Sequence, residues 1–103
     1  MIIHLAFFKF RPDLPDEALE RLRRGFGELQ SSIPEIRRFR WVRNNSSEGL
    51  DKGFVHGILM EFDSVEARQR YLDHPSHRAF ARDVVIPALE EGLNSVIVFD
   101  YAN

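Results

Sequence analysis

A chain of 103 residues without cysteine is sized for one domain, residues 1–103, and can form neither a disulfide nor a thiolate metal site. Its formal charge of −2, from 14 basic and 16 acidic side chains, argues against a general polyanion binder such as a nucleic-acid protein. No stretch is apolar for long enough to span a bilayer, and Met1–Ala6 has neither the basic region nor the cleavage site of a signal peptide. A cytoplasmic protein with no membrane partner is therefore expected.

Residues 2–10 (IIHLAFFKF) are β-branched and aromatic without a breaker and predict a strand. Arg11-Pro12-Asp13 ends it. Pro15 suits the first turn of a helix, with Asp16 and Glu17 at its positive end. Ala18, Leu22, Gly25, Phe26, Leu29 and Ile33 then recur at spacings of three and four as one apolar stripe, and Ser31-Ser32-Ile33-Pro34 closes the helix. Residues 36–43 (IRRFRWVR) predict a second strand, with Phe39 and Trp41 on one face and Arg38 and Arg40 on the other.

A polar loop follows from Asn44 to Gly53. It is expected to be ordered, with Gly49 and Gly53 supplying turn conformations and Leu50 packing inward. Residues 54–62 (FVHGILMEF) predict a third strand. Asp63, three residues before Glu66, predicts a helix N-cap. That helix runs to Asp73 and breaks at His74-Pro75. A further helical stretch extends from Ser76 to about Glu91, bent at Pro87 and stopped by Gly92. Residues 95–101 (SVIVFDY) predict the last strand.

The order βαββαβ is satisfied by a ferredoxin-like α+β fold, one antiparallel four-stranded sheet with its helices on one face. A sheet whose other face met water should alternate apolar and polar residues. The first strand does not: Ile2, Ala6, Phe8 and Phe10 stand at even positions, and Ile3, Leu5 and Phe7 at odd ones. The last strand is likewise apolar on both faces. A second copy of the sheet is the simplest cover for the odd face, so a homodimer closing a two-sheet barrel is expected, with Leu5, Phe7 and Leu59 in its interface.

Several segments, in order, carry a resemblance. They are His4 with the strand ending Phe8-Lys9-Phe10, then Ile33-Pro34-Glu35-Ile36, then Arg43 through His56. Glu61-Phe62-Asp63-Ser64, Tyr71 through His77 and Phe99-Asp100-Tyr101 complete the set. Over nearly its whole length the chain resembles the stress-responsive dimeric α/β-barrel family. The resemblance implies ferredoxin-like protomers paired through their sheets. A plant member is a polyketide cyclase that closes a poly-β-ketone by aldol condensation without a cofactor, in a pocket between sheet and helices. This chain is similar to it at His4, His56, Tyr71 and His77. Where that enzyme has a pocket tyrosine in the first helix, this chain has Phe26.

The residues themselves fit acid–base chemistry. His4 and His56 share even parity with Ile2, Ala6 and Phe8 and with Phe54, Ile58, Met60 and Phe62. His77 heads a stripe of Phe80, Ala81, Val84, Val85 and Ala88, so its imidazole is expected to face the sheet. The break at His74-Pro75 can turn Tyr71 and His77 toward a common point. Histidine titrates near pH ~6.5 and suits proton abstraction beside a carbonyl, while a tyrosine hydroxyl can donate to the developing enolate. Tyr71 and His77 are thus the candidate catalysts and His4 and His56 candidate ligand-binding residues, all four lining one cavity; the resemblance adds Phe26 as a candidate ligand-binding residue.

No cofactor is expected, and no histidine spacing is diagnostic of a metal site. His74 is expected to be a helix-end residue. Arg37, Arg38, Arg40 and Arg43 read as charges protecting a sheet edge. Three functions stay open: a cofactor-free enzyme acting on a ketonic or aromatic compound, a non-catalytic small-molecule-binding or stress protein acting as a dimer, and a cofactor-free monooxygenase.

Overall fold

A computed structural model describes residues 1–103. Its regular elements are β1 (Ile2–Phe8), α1 (Asp16–Ser32), β2 (Arg38–Arg43), β3 (His56–Phe62), α2 (Val65–Asp73), α3 (Pro75–Phe80) and β4 (Val96–Ala102). The strands form one antiparallel sheet in the order β2-β3-β1-β4. The ferredoxin-like α+β architecture expected from the order of elements is the one observed.

The register fixes what shares a face. Leu5 stands opposite Leu59 on one side and Phe99 on the other, and His4 opposite Met60 and Asp100. Even positions of β1 and β3 therefore lie together, and Ile2, His4, Ala6, Phe8, Ile58, Met60 and Phe62 among them are buried. Leu22, Phe26, Leu29 and Ile33 of the α1 stripe join them in the core. Each fully buried side chain of this size contributes about 1.5–3 kcal/mol relative to leaving it in water. The opposite face carries Leu5, Phe7 and Leu59, partly buried, with Ile97, Phe99 and Tyr101 exposed beside them. Gly57 stands opposite Phe7, and a Cβ there would lie 2.8 Å from the Phe7 ring and 2.7 Å from the Ala6 carbonyl oxygen. The ring lies across the sheet because that position has no side chain.

Several expected boundaries move, each for a visible reason. β1 ends at Phe8 rather than Phe10. Beyond it the backbone changes partner, with Lys9 N–H donating to Ser95 O, Arg11 N–H to Ala88 O, and Phe10 bridging Leu89. β2 and β3 start two residues later than predicted, at Arg38 and His56. The cap of α2 is Ser64, not Asp63: the Ser64 hydroxyl accepts the Ala67 N–H at 3.1 Å, while Asp63 pairs with Arg37 at the surface.

The stretch after Pro75 is not one bent helix. α3 gives way to a wide π turn over Ala81–Val85 and a last helical turn, Ile86–Ala88. Pro87 has no N–H for a bond back to Asp83, and its ring crowds that carbonyl, so the chain widens just before it. Gly92, at φ +56, opens a short 3-10 turn, Gly92–Ser95, leading into β4.

The loop from Asn44 to Gly53 is held by hydrogen bonds. Asn44 N–H donates to Val55 O at 2.7 Å, Asn44 Nδ2 to Asp51 at 3.1 Å, and Gly53 N–H to Asp51 Oδ1 at 2.9 Å. Gly49 and Gly53 take positive φ as expected, but Leu50 is exposed and anchors nothing.

The Ser64 cap gives a direct test. Ser64→Ala should lower stability by about 1 kcal/mol in urea denaturation, as loss of a helix N-cap does. Asp63→Ala should leave the denaturation midpoint nearly unchanged.

Candidate functional site

Between the even face of the sheet and the helices lies a cavity of about 250 Å3. Phe8, Ile58 and Ala6 form its sheet wall, with Phe26 of α1 and Phe80 of α3 opposite. The close approach of α1 and α3 depends on Gly25, where a Cβ would fall 2.2 Å from Cε1 of Phe80. No Asp, Glu, Lys or Arg side chain lines the space, and its polar side chains are His4, Tyr71 and His77.

These three converge. The Tyr71 and His77 rings are 4.4 Å apart between centroids, and the His4 and Tyr71 rings 5.9 Å in an edge-to-face arrangement. The His74-Pro75 break makes this possible. His74 ends α2 and caps α3, its Nδ1 accepting the Ser76 N–H at 3.1 Å. The chain thereby changes direction between Tyr71 on α2 and His77 on α3. His74 is the helix-end residue its sequence context predicts.

The hydrogen-bond partners set which atoms meet the cavity. A carbonyl can only accept, so the 3.1 Å contact between His77 Nδ1 and Leu72 O is an N–H donation, and the neutral ring carries its lone pair on Nε2. His4 Nδ1 contacts Asp100 Oδ1 at 2.8 Å. No fully buried side-chain nitrogen or oxygen of the chain lacks a partner, yet neither the Tyr71 hydroxyl nor His4 Nε2 bonds to protein. Both atoms therefore open on the cavity, although Tyr71 is only 1% exposed and His4 5%.

Burial pushes the Tyr71 phenol well above its ordinary pKa, so the hydroxyl keeps its proton and acts as a donor. Burial also lowers His77 below the usual 6.5, the Leu72 carbonyl opposing this in part and nearby cationic groups, Arg78 among them, reinforcing it. At neutral pH the His77 ring is uncharged, the state a base requires.

One of the expectations needs correction. His56 does not line this cavity. It stands opposite Phe8 while His4 stands opposite Met60, four residues along β3, or about 13 Å at strand rise. Shared parity gave the same face but the other end of the sheet. There His56 packs on Trp41 and Phe10, beside a separate cleft of about 180 Å3. The helical stripe faces inward as expected, with Val85 and Ala88 buried and Val84 and Phe80 packed against the core. Ile86 and Leu89, outside that stripe, also line the cavity, where the π turn widens the helix.

Asp100 and Arg68 were not singled out from the sequence, although both prove to belong to the site's support. A signal existed for Asp100: it is a carboxylate at an even position of a strand otherwise apolar on that face, after Val96 and Val98. No group of three or more His, Asp or Glu side chains is arranged to hold a metal ion. No helix is long and apolar enough to cross a membrane.

The model of the stress responsive A/B barrel domain matches residues 2–103. The chain belongs to this family. Among curated members it is 31% identical over 98 residues to the stress-response A/B barrel domain-containing protein HS1 of Arabidopsis thaliana, covering 95% of this chain and 85% of that protein. It is 28% identical over 98 residues to olivetolic acid cyclase of Cannabis sativa, covering 95% and 92%. A crystal structure of an Arabidopsis thaliana protein superposes at a TM-score of 0.89, with 29% identity and coverage of 100% and 95%. A dimeric ferredoxin-like protein from Jannaschia shares the fold at a TM-score of 0.81, with 20% identity and coverage of 99% and 98%.

Within this family fold His77 and His56, both partly buried, make stability depend on pH. His77 and His56 both titrate below 6.5 in the folded chain, chiefly through desolvation. On acidification the unfolded chain takes up these protons first, so their contribution is complete above about pH 6.5 and is lost as pH falls through the depressed folded values. Urea midpoints should fall from pH 7.5 to 5.5, and His77→Gln should reduce that slope.

Proposed function

We propose that this protein binds a small, uncharged ketonic or aromatic compound and performs cofactor-free acid–base chemistry on it, in the manner of a polyketide cyclase. The observation that carries the reading is the cavity: an apolar wall, no formal charge, and three polar side chains brought to one place with unpartnered atoms facing inward. Small-molecule sites have this composition. The identity to a cyclase over 95% of the chain supports ring closure as the reaction class.

In this reading the roles divide as follows. His77 Nε2 takes a proton from the carbon beside a carbonyl. The C–H electron pair becomes the enolate, whose oxygen accepts a hydrogen bond from the Tyr71 hydroxyl. The enolate carbon attacks a second carbonyl carbon, and the resulting alkoxide recovers the proton from the His77 imidazolium. Phe26, with Phe8 and Phe80, shapes the apolar wall against which the ligand lies.

Proton exchange reads the first step alone. With acetophenone in D2O, the protein should accelerate loss of the methyl proton signal in NMR spectra. His77→Ala should slow this by about 10²–10⁴-fold, the range a general base supplies, and Tyr71→Phe by about 10²–10³-fold. Acetophenone binding in the cavity with no accelerated exchange would instead establish a non-catalytic binder.

The functional unit in this reading is a homodimer closed through the odd face of the sheet. Support comes from Phe99, 61% exposed, with Ile97 and Tyr101 each 47% exposed beside Leu5 and Phe7 on one continuous surface. The same face becomes charged toward the β2 edge, where Arg38 pairs with Glu61. The apolar contact is therefore centred on β1 and β4. Sedimentation at micromolar concentration should give a dimer, and Phe99→Asp, which would bury an unpaired charge, should give a folded monomer. A wild-type monomer would overturn the dimer.

A further inference from the structure

The cavity uses one nitrogen of His4, and the structure accounts for the other. His4 and Asp100 stand directly opposite each other in the β1–β4 ladder, and Asp100 Oδ1 meets His4 Nδ1 at 2.8 Å. The second carboxylate oxygen, Oδ2, meets an Arg68 guanidinium nitrogen of α2 at 3.0 Å. All three side chains are largely withdrawn from solvent, at 6%, 19% and 24% exposure. Around the His4 ring, Phe62 presents an edge-to-face contact from β3 and Tyr71 another from α2, and His77 of α3 lies beyond Tyr71.

We propose that Asp100, braced by Arg68, is a positioning residue that locks His4 in the Nδ1–H tautomer and aims Nε2 into the cavity as a second proton-transfer atom. The functional half of this rests on the acid–base reading above; the tautomer does not.

The argument is one of satisfied atoms. An ionised carboxylate only accepts, so the proton of the neutral imidazole must sit on Nδ1. That commitment leaves the lone pair on Nε2, which has no protein partner and opens on the cavity. Asp100 could turn away if it had one partner. With Arg68 taking Oδ2, both oxygens are engaged from two different elements, the neighbouring strand and the helix above it. The arrangement has the logic of a carboxylate that orients a catalytic imidazole without touching substrate. It gives the cavity two imidazoles in the same tautomer, each fixed from behind by an acceptor: the Leu72 carbonyl for His77 and the Asp100 carboxylate for His4. Tyr71 stands between them.

Long-range 15N–1H NMR of the ligand-free protein, at a pH where the imidazoles are neutral, reads the tautomer directly. His4 should be Nδ1–H in the wild type and a mixture in Asp100→Asn, since a carboxamide can present either a donor or an acceptor. Arg68→Gln should keep the tautomer but broaden the His4 signals. In the acetophenone exchange assay, Asp100→Asn should lower the maximal rate about tenfold or more with the half-saturating concentration unchanged. A wild-type His4 in the Nε2–H form, or an unaltered tautomer in Asp100→Asn, would overturn the positioning role. If wild-type protein catalyses no exchange, the acid–base reading fails and His4 loses its proton-transfer role, while the NMR still decides the tautomer. If Asp100→Asn unfolds the chain, Asp100→Glu, which keeps the acceptor, should retain the Nδ1–H form.

Discussion

The structure depends on β1 being a central strand with apolar side chains on both faces. Paired to β3 on one side and β4 on the other, it fixes the register of the whole sheet. That register decides which residues face the helices and which face away, because side chains alternate strictly along a strand. It also sets His4 opposite Asp100 and His56 opposite Phe8. A slip of one residue would send His4 to the outer face and dissolve the site.

Breaks in the helical layer matter as much as the regular turns. At His74-Pro75 the chain stops one helix and caps the next within a single residue, and Tyr71 and His77 meet as a result. At Ala81–Val85 a π turn widens the helix, and Ile86 and Leu89 beyond it complete the wall. Both irregularities sit beside a proline whose missing N–H cannot serve a regular helix. Both lie along the cavity.

The chemistry of the site follows from dividing polar atoms between the protein and the cavity. Nδ1 of each lining histidine is engaged by an acceptor behind it, and the unpartnered atoms point inward. Burial then keeps Tyr71 protonated and His77 neutral. A donor and a base are ready in a largely apolar space without formal charge.

Periodicity along the chain determined the elements, the central place of apolar strands, the inward histidines at positions 4 and 77, and the proximity of Tyr71 to the helix break. These are local properties: alternation of two, spacing of three or four, and the backbone limits of proline and glycine. Parity names a face and not a place on it, so His56 read as a companion of His4 although register separates them by half the sheet. The π turn carries no sequence mark beyond Pro87, so Ile86 and Leu89 were not read as part of the cavity wall. Asp100 and Arg68 lie 96 and 64 residues beyond His4 in sequence, and only strand pairing brings Asp100 to its ring and the packing of α2 on the sheet brings Arg68 to Asp100. Contacts of that range arise from tertiary register, which no local pattern encodes.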